Sequence, residues 1–134
     1  MMAQSSRVRR AWAAYVVYCL LSSAFNLGLF LFALWARVHR TEIWPTWIGP
    51  DMYDQLPSYV FGSIEVSAMA IGAFFCVGDI AVLFAPKNDK GWVLAIVNIA
   101  LGLGSVVFTP LCLWLMFQWL AKGFKEEFRE TTTG

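Results

Sequence analysis

The sequence predicts an all-α integral membrane protein, a compact bundle of three transmembrane helices with the third kinked near Pro110. Of its residues 59% are hydrophobic and only 14% are charged, whereas soluble domains have roughly 25% charged residues. Residues 11–36 and residues 91–121 contain no Asp, Glu, Lys or Arg. Each run is longer than the about 20 apolar residues that cross a bilayer as a helix.

The first transmembrane helix is predicted at 11–36, after a basic amino-terminal segment at 1–10. A cleaved signal peptide is the alternative, because SRVRR, AWAAYVVYCLL and SSA follow the order of its three regions, with cleavage after Ala24. The apolar run nevertheless continues to Ala36, whereas the apolar region of a signal peptide has about 7–15 residues. We therefore predict an uncleaved first helix.

Residues 37–57 are predicted to form an irregular aromatic loop on the membrane surface. Trp44, Trp47 and Tyr53 are of the types that favour the boundary between lipid and water. Three prolines in this segment preclude a long helix. A short helical turn is expected only after Pro50.

The second transmembrane helix, predicted at 58–84, contains two acids. Glu65 and Asp79 are 14 residues apart, so at 100° per residue they lie about 40° from the same direction. Small residues that permit close helix approach lie between them on that face, namely Ala68, Gly72 and Cys76. Bulky residues, including Phe61, Phe74 and Phe75, are predicted on the other faces. The acids should therefore point towards neighbouring helices or a cavity and not towards lipid, and desolvation there favours their neutral form.

The third helix is predicted at 91–121, after a short loop at 85–90. Its 31 residues span about 46 Å, more than the ~30 Å hydrocarbon core, so a tilt and a kink are expected. A complete break at Pro110 is the alternative. Residues 122–134 are predicted to be a polar tail, made of the frayed end of the third helix and a polar terminus, with Phe124 and Phe128 resting on the membrane surface.

Polar residues of the other helices are predicted to face the two acids. Counting inward from the helix ends places Asn98 and Tyr15 at the depth of Asp79, and Asn26 at the depth of Glu65. The candidate polar site is thus Glu65, Asp79, Asn26, Asn98 and Tyr15. The candidate packing residues are Ala68, Gly72, Cys76, Gly102 and Ser105.

The basic residues are evenly divided between the two sides of the membrane and therefore say little about orientation. With three helices, five Lys and Arg residues lie on each side of the membrane. The amino end has three arginines and no acid, which favours placing it inside a plasma or inner membrane.

Residues that would carry chemistry are scarce. His39 is the only histidine, the three cysteines are far apart in sequence, and no glycine-rich phosphate loop is present. A net charge of +1 gives no basic surface for nucleic acid. We therefore predict no enzyme, no catalytic residue, no metal and no cofactor, with the lipid bilayer and other membrane proteins or further copies as partners.

The sequence alone leaves two main candidate functions. The first is a small non-catalytic membrane protein, an accessory subunit or self-associating bundle in which the acids are structural. The second is an oligomeric proton or cation pathway that uses Glu65 and Asp79, because acids within a membrane are functional candidates by default. A receptor-like or lipid-binding role is a more distant third.

Overall fold

The computed structural model describes residues 2–133, and the side chains of residues 6–130. All regular elements in this part of the chain are helices. Their bounds are α1 Met2–Val38, α2 Arg40–Ile48, α3 Pro50–Gln55, α4 Ser58–Leu83, α5 Asp89–Leu103, α6 Thr109–Leu120 and α7 Phe124–Thr133. The predicted all-helical fold is confirmed.

Two of these helices are long and apolar enough to cross a membrane, over Ser6–Val38 and Ser58–Leu83. They correspond to the first two predicted membrane segments. Length and composition alone suggest a membrane location only weakly, since a signal sequence or the core helix of a soluble protein meets the same criterion. The remaining apolar helix of the described chain that approaches this class, α6, has 12 residues.

The third helix predicted at 91–121 is not continuous. It is interrupted between Leu103 and Thr109, and Pro110 lies in the first turn of α6. Proline is favoured there because its missing N–H needs no helical partner at that position. The hydroxyl of Thr109 donates to the carbonyl oxygens of Leu103 and Ser105, at 3.2 and 2.6 Å, which caps the break. Pro110 thus begins a new helix instead of bending an existing one.

Helices α5 and α6 form an antiparallel hairpin. Asp89, at the start of α5, pairs with Lys125 of α7 at 3.4 Å, and the Lys125 ammonium lies 5.2 Å from the ring centre of Trp92. In one straight helix, residues 89 and 125 would be about 54 Å apart. The chain therefore returns after α6 to the end of the hairpin at which α5 began.

The chain divides into two compact units. The first comprises residues up to 22 and those from 78 onward: the beginning of α1, the end of α4, the α5–α6 hairpin and α7. Its core contains Tyr15 and Cys19 of α1, Ile99 of α5, and Leu115 and Trp119 of α6, all buried.

The carboxyl-terminal segment forms a helix of its own, α7, after the end of α6. Gly123 has a φ of 81°, a left-handed conformation that favours glycine, and it separates α6 from α7. Phe124 and Phe128 lie one turn apart on α7 and are 0% and 2% exposed. Both pack on Trp119, with ring centres 4.9 and 6.1 Å away. The expectation that they rest on the membrane surface is wrong, because the α6–α7 turn folds them against protein.

The second unit, Ser23–Val77, contains the rest of α1, helices α2 and α3, and most of α4. A Cβ atom on Gly72 would lie 2.8 Å from the carbonyl oxygen of Asn26 and 3.0 Å from the backbone nitrogen of Phe30. This is the close helix approach that the small face of α4 predicts. Ser23 also donates to the carbonyl oxygen of Cys76 at 3.1 Å.

The segment predicted as an irregular loop is largely helical. Helix α2 tolerates Pro45 in its interior, although the proline removes one helical hydrogen bond. Burial of Ile43 and contacts of Trp44 stabilise the helix against this loss. Gly49, with a φ of 88°, ends α2, and Pro50 begins α3. The short helical turn expected after Pro50 is confirmed.

Candidate functional site

Glu65 accepts hydrogen bonds from the connection between the two long helices. Its Oε1 accepts from Nε of Arg40 at 3.1 Å and from Nε1 of Trp44 at 2.9 Å, while its Oε2 accepts from Nη2 of Arg40. The Glu65 side chain is 1% exposed and that of Arg40 is 27% exposed. A guanidinium that binds both carboxylate oxygens is a strong, charge-assisted arrangement.

This geometry requires an ionised acid. All three donors point at the two Glu65 oxygens, which act only as acceptors when the carboxyl group has lost its proton. Arg37 adds a further favourable electrostatic interaction. The hydrogen bonds to Glu65 raise the pKa of Arg40 above its usual value, so both members of the pair stay charged. The expected neutral form does not apply to Glu65.

Aromatic rings surround the pair. Phe61 lies one turn before Glu65 on α4, is 2% exposed, and has ring contacts with Trp44 at 5.0 Å and Tyr53 at 4.9 Å. The prediction that Phe61 faces away from the acids is wrong, because a spacing of four residues places it on their face. Phe75 is half-buried, whereas Phe74 is 72% exposed.

Asn26 does not lie at the depth of Glu65. The backbone carbonyl oxygen of Asn26 lies against Gly72 of α4. Gly72 is seven residues, or about 10 Å, along α4 from Glu65. Helix α1 continues to Val38 and α2 begins at Arg40, so the chain after α1 reaches Glu65 first. The first residue of α2 takes the place predicted for the amide.

Asp79 lies in the first unit and is 2% exposed. Its carboxyl group interacts electrostatically with two tyrosines and two cysteines, namely Tyr15, Tyr18, Cys19 and Cys112. Tyr15, Tyr18 and Cys19 come from α1, and Cys112 comes from α6. The acid near the end of α4 thus lies close to several weakly acidic hydroxyl and thiol groups.

Asn98 links this group to the hairpin. Its side-chain nitrogen donates to the hydroxyl of Tyr15 at 3.4 Å and to the sulfur of Cys19 at 3.5 Å. The backbone carbonyl oxygen of Asn98 accepts from the hydroxyl of Tyr18 at 3.2 Å. The structure therefore brings the predicted residues Asn98 and Tyr15 together, close to Asp79.

The predicted small residues have different surroundings. Gly102 is buried, and a Cβ atom there would overlap the Tyr18 hydroxyl and contact the Cys112 sulfur. Ala68 and Cys76 are half-buried on α4. Ser105 lies in the turn of the hairpin, where its carbonyl oxygen accepts from Thr109. Among the predicted packing residues, Gly102 and Gly72 are the glycines at which the structure leaves no room for a Cβ atom.

Among the described residues, no group of three or more His, Cys, Asp or Glu side chains is placed to hold a metal ion. His39 lies in the second unit, and its Nδ1 is 3.1 Å from the carbonyl oxygen of Trp35. The groups present can form hydrogen bonds, hold charge and exchange a proton.

Sequence reasoning missed Arg40 and Trp44 as partners of Glu65, and Tyr18 and Cys112 as neighbours of Asp79. A signal for Arg40 was present, because a basic residue after one apolar helix and an acid two turns into the next can meet. Tyr18 follows Tyr15 by three residues and therefore shares its helical face. Comparison with known proteins finds no matching family model, curated protein or solved structure.

Proposed function

We propose that this chain is a small, non-catalytic integral membrane protein whose helices α1 and α4 cross the bilayer. It acts through helix contacts, as an accessory subunit of a membrane assembly or as a self-associating bundle. The observation that carries this proposal is the apolar surface of the long helices. Large apolar side chains are exposed along both helices. In α1 about half of the surface of Leu21, Phe25 and Leu31 is exposed. In α4 the exposed fraction is 51–72% for Ile71, Phe74 and Val77.

A soluble core helix and a signal peptide both fit the chain less well than a membrane span. In the most apolar 18-residue windows of α1 and α4, 28% and 11% of the residues are buried, whereas the core helix of a soluble protein is mostly buried. Cleavage after Ala24 would remove Tyr15, Tyr18 and Cys19, which are buried in the core of the first unit. An uncleaved α1 in contact with lipid agrees with both observations.

In this proposal Glu65 and Asp79 are structural. The cost of an ionised acid within a bilayer is offset for Glu65 by Arg40 and Trp44. Asp79 lies near the hydroxyl and thiol groups of Tyr15, Tyr18 and Cys112, which are uncharged groups of a kind that can form hydrogen bonds with a carboxyl group. The partners are lipid and other helices, in a plasma or inner membrane with the amino end inside.

A second candidate is the proton or cation pathway, and the surroundings of Asp79 favour it. Asp79 is buried near the hydroxyl groups of Tyr15 and Tyr18 and the thiol of Cys19, and acids within a membrane are functional candidates by default. Glu65 is a poor relay station by comparison, because its charge is already held by Arg40.

Reconstitution separates the two functions. The full chain is incorporated into vesicles, washed with alkaline carbonate, and assayed for proton and potassium flux beside Asp79→Asn and the exposed control Asp89→Asn. We expect retention in the membrane and flux no greater than in empty vesicles for all three proteins. Release by carbonate would contradict membrane integration. Flux in the parent and in Asp89→Asn that is lost in Asp79→Asn would establish the pathway instead.

A further inference from the structure

We propose that α5 and α6 form a re-entrant hairpin, which enters the hydrocarbon core from one side of the bilayer and returns to the same side. Its apolar turn, Ser105 to Phe108, contacts lipid acyl chains. The amino end of α1 and α7 then lie on one side. This inference rests on the proposed function, since it requires α1 and α4 to cross the bilayer.

Neither arm of the hairpin has the length of a membrane crossing. Helix α5 has 15 residues and α6 has 12, which correspond to about 22 and 18 Å against a hydrocarbon core of ~30 Å. Both arms are apolar, and residues 91–121 carry no charge. An uncharged hairpin of this length suits a path into the bilayer and back.

The most exposed side chains of the hairpin's turn are apolar, which is unusual for a turn in water. Turns exposed to solvent are built mainly from Gly, Pro, Asn, Asp and Ser. Here the outermost residues are Val106 and Val107, and they are 90% and 68% exposed. These are the side chains expected at an end that is surrounded by lipid.

Hydrogen bonds within the turn reduce the cost of placing its backbone in lipid. The N–H groups of Gly104 and Ser105 donate to Leu101 and Gly102 at 3.1 and 3.0 Å. The Thr109 hydroxyl lies against two further carbonyl oxygens of the turn. These bonds matter because a backbone polar group without a partner is costly at membrane depth.

Contacts with α1 give the depth of the turn and the side from which the hairpin enters. Arg7 donates to Gln118, near the end of α6, at 3.1 Å, and Trp12 contacts Phe128 of α7 at 5.8 Å. At the opposite end of the hairpin, Tyr18 contacts Phe108 at 5.8 Å. Tyr18 is seven residues, or about 10 Å, into the uncharged run that begins at residue 11, and α1 continues well beyond it. The turn therefore ends inside the apolar zone.

Charge distribution supports this topology independently. With the hairpin returning, the side of the amino end has eight basic residues, namely Arg7, Arg9, Arg10, Lys87, Lys90, Lys122, Lys125 and Arg129. The opposite side has Arg37 and Arg40, and Arg40 is paired with Glu65. Three complete crossings would give five on each side. Basic residues are enriched on the cytoplasmic side of membrane proteins, so the re-entrant topology places both ends of the chain inside.

Two measurements on the full chain in phosphatidylcholine and phosphatidylglycerol vesicles test the inference. Protease-cleavable tags on the two ends report their sides without altering the fold. Separately, a bimane label is attached to Val106→Cys or, as control, to Lys90→Cys at the open end of the hairpin, both in a Cys76→Ser background. We expect both tags on one side. We also expect the label at 106 to be quenched by doxyl groups deep in the acyl chains and several-fold less by iodide than the label at 90.

Any different outcome overturns the inference. Tags on opposite sides would show that the hairpin crosses the bilayer, and would leave the proposed function intact. A label at 106 that iodide quenches as strongly as the label at 90 would place the turn in water. A label that neither quencher reaches would show that protein covers it. Release of the parent chain by alkaline carbonate would overturn the proposed function as well.

Discussion

The Arg40–Glu65 pair connects the polypeptide between the two long helices to a buried position on α4. Glu65 is almost completely buried and Arg40 is partly exposed. The pair should therefore contribute more to stability than an ion pair on the surface does. The fork of Arg40 and the indole of Trp44 together satisfy both carboxylate oxygens. Removal of the negative charge would leave the guanidinium facing a weaker acceptor.

Glu65→Gln should therefore destabilise the protein by about 1.5–3 kcal/mol, the range for hydrogen bonds to charged groups. The free energy of unfolding in detergent micelles, measured with denaturant, gives the effect. Glu42→Gln is the control, because Glu42 is an exposed acid of α2, and it should change stability by less than about 0.5 kcal/mol. Equal stability of Glu65→Gln and the parent would mean that the pair contributes nothing in the micelle.

The α5–α6 hairpin depends on a close contact at Gly102, next to its turn. Tyr18 of α1 and Cys112 of α6 approach Gly102 so closely that no side chain fits there. The same tyrosine packs on Phe108 and donates to the Asn98 carbonyl oxygen. One glycine thus permits the packing of three segments of the first unit.

Gly102→Ala should destabilise the protein by about 1–3 kcal/mol, because the added methyl group must displace Tyr18 or Cys112. Gly78→Ala is the matched control on α4, where a Cβ atom would meet nothing within 4 Å. That change should be neutral or stabilising by up to about 1 kcal/mol, since alanine is the better helix former. Thermal unfolding in detergent distinguishes the two, and equal losses would contradict this packing.

At the scale of the molecule, the described residues include a buried acid with polar neighbours in each of the two units. Glu65 is held by Arg40 and Trp44 within Ser23–Val77, whereas Asp79, Asn98 and the tyrosines belong to the first unit. The residues that hold Glu65 are different from those that interact with Asp79. The two arrangements should therefore contribute independently to stability, although α1 and α4 supply residues to both units.

Combining Glu65→Gln with Gly102→Ala tests this independence. We expect the loss of the double variant to equal the sum of the two single losses within about 0.5 kcal/mol, as for sites that share no partner. Denaturant unfolding of the four proteins in one detergent completes the cycle. A coupling energy above about 1 kcal/mol would show that the two units respond together.

Composition and periodicity were enough to predict the helical class and the approximate positions of the two long helices. Both followed from the uncharged runs and their lengths. The shared face of Glu65, Gly72 and Asp79 followed from helical geometry. So did the expectation that Asn98 and Tyr15 approach each other, because residues at equal depth in neighbouring helices can meet.

The way in which distant parts of the chain meet could be learned only from the folded structure. Length could not distinguish a tilted 31-residue helix from a hairpin, since both satisfy the same apolar run, and the contact between Asp89 and Lys125 selects the hairpin. Counting residues inward from the helix ends also gave the wrong partner for Glu65. It assumed that the side-chain amide of Asn26, within α1, lies at the depth of the acid. The connection instead folds into α2 and directs Arg40 and Trp44 at the acid. Such contacts depend on the path of the chain between helices, which local hydrophobic pattern does not encode.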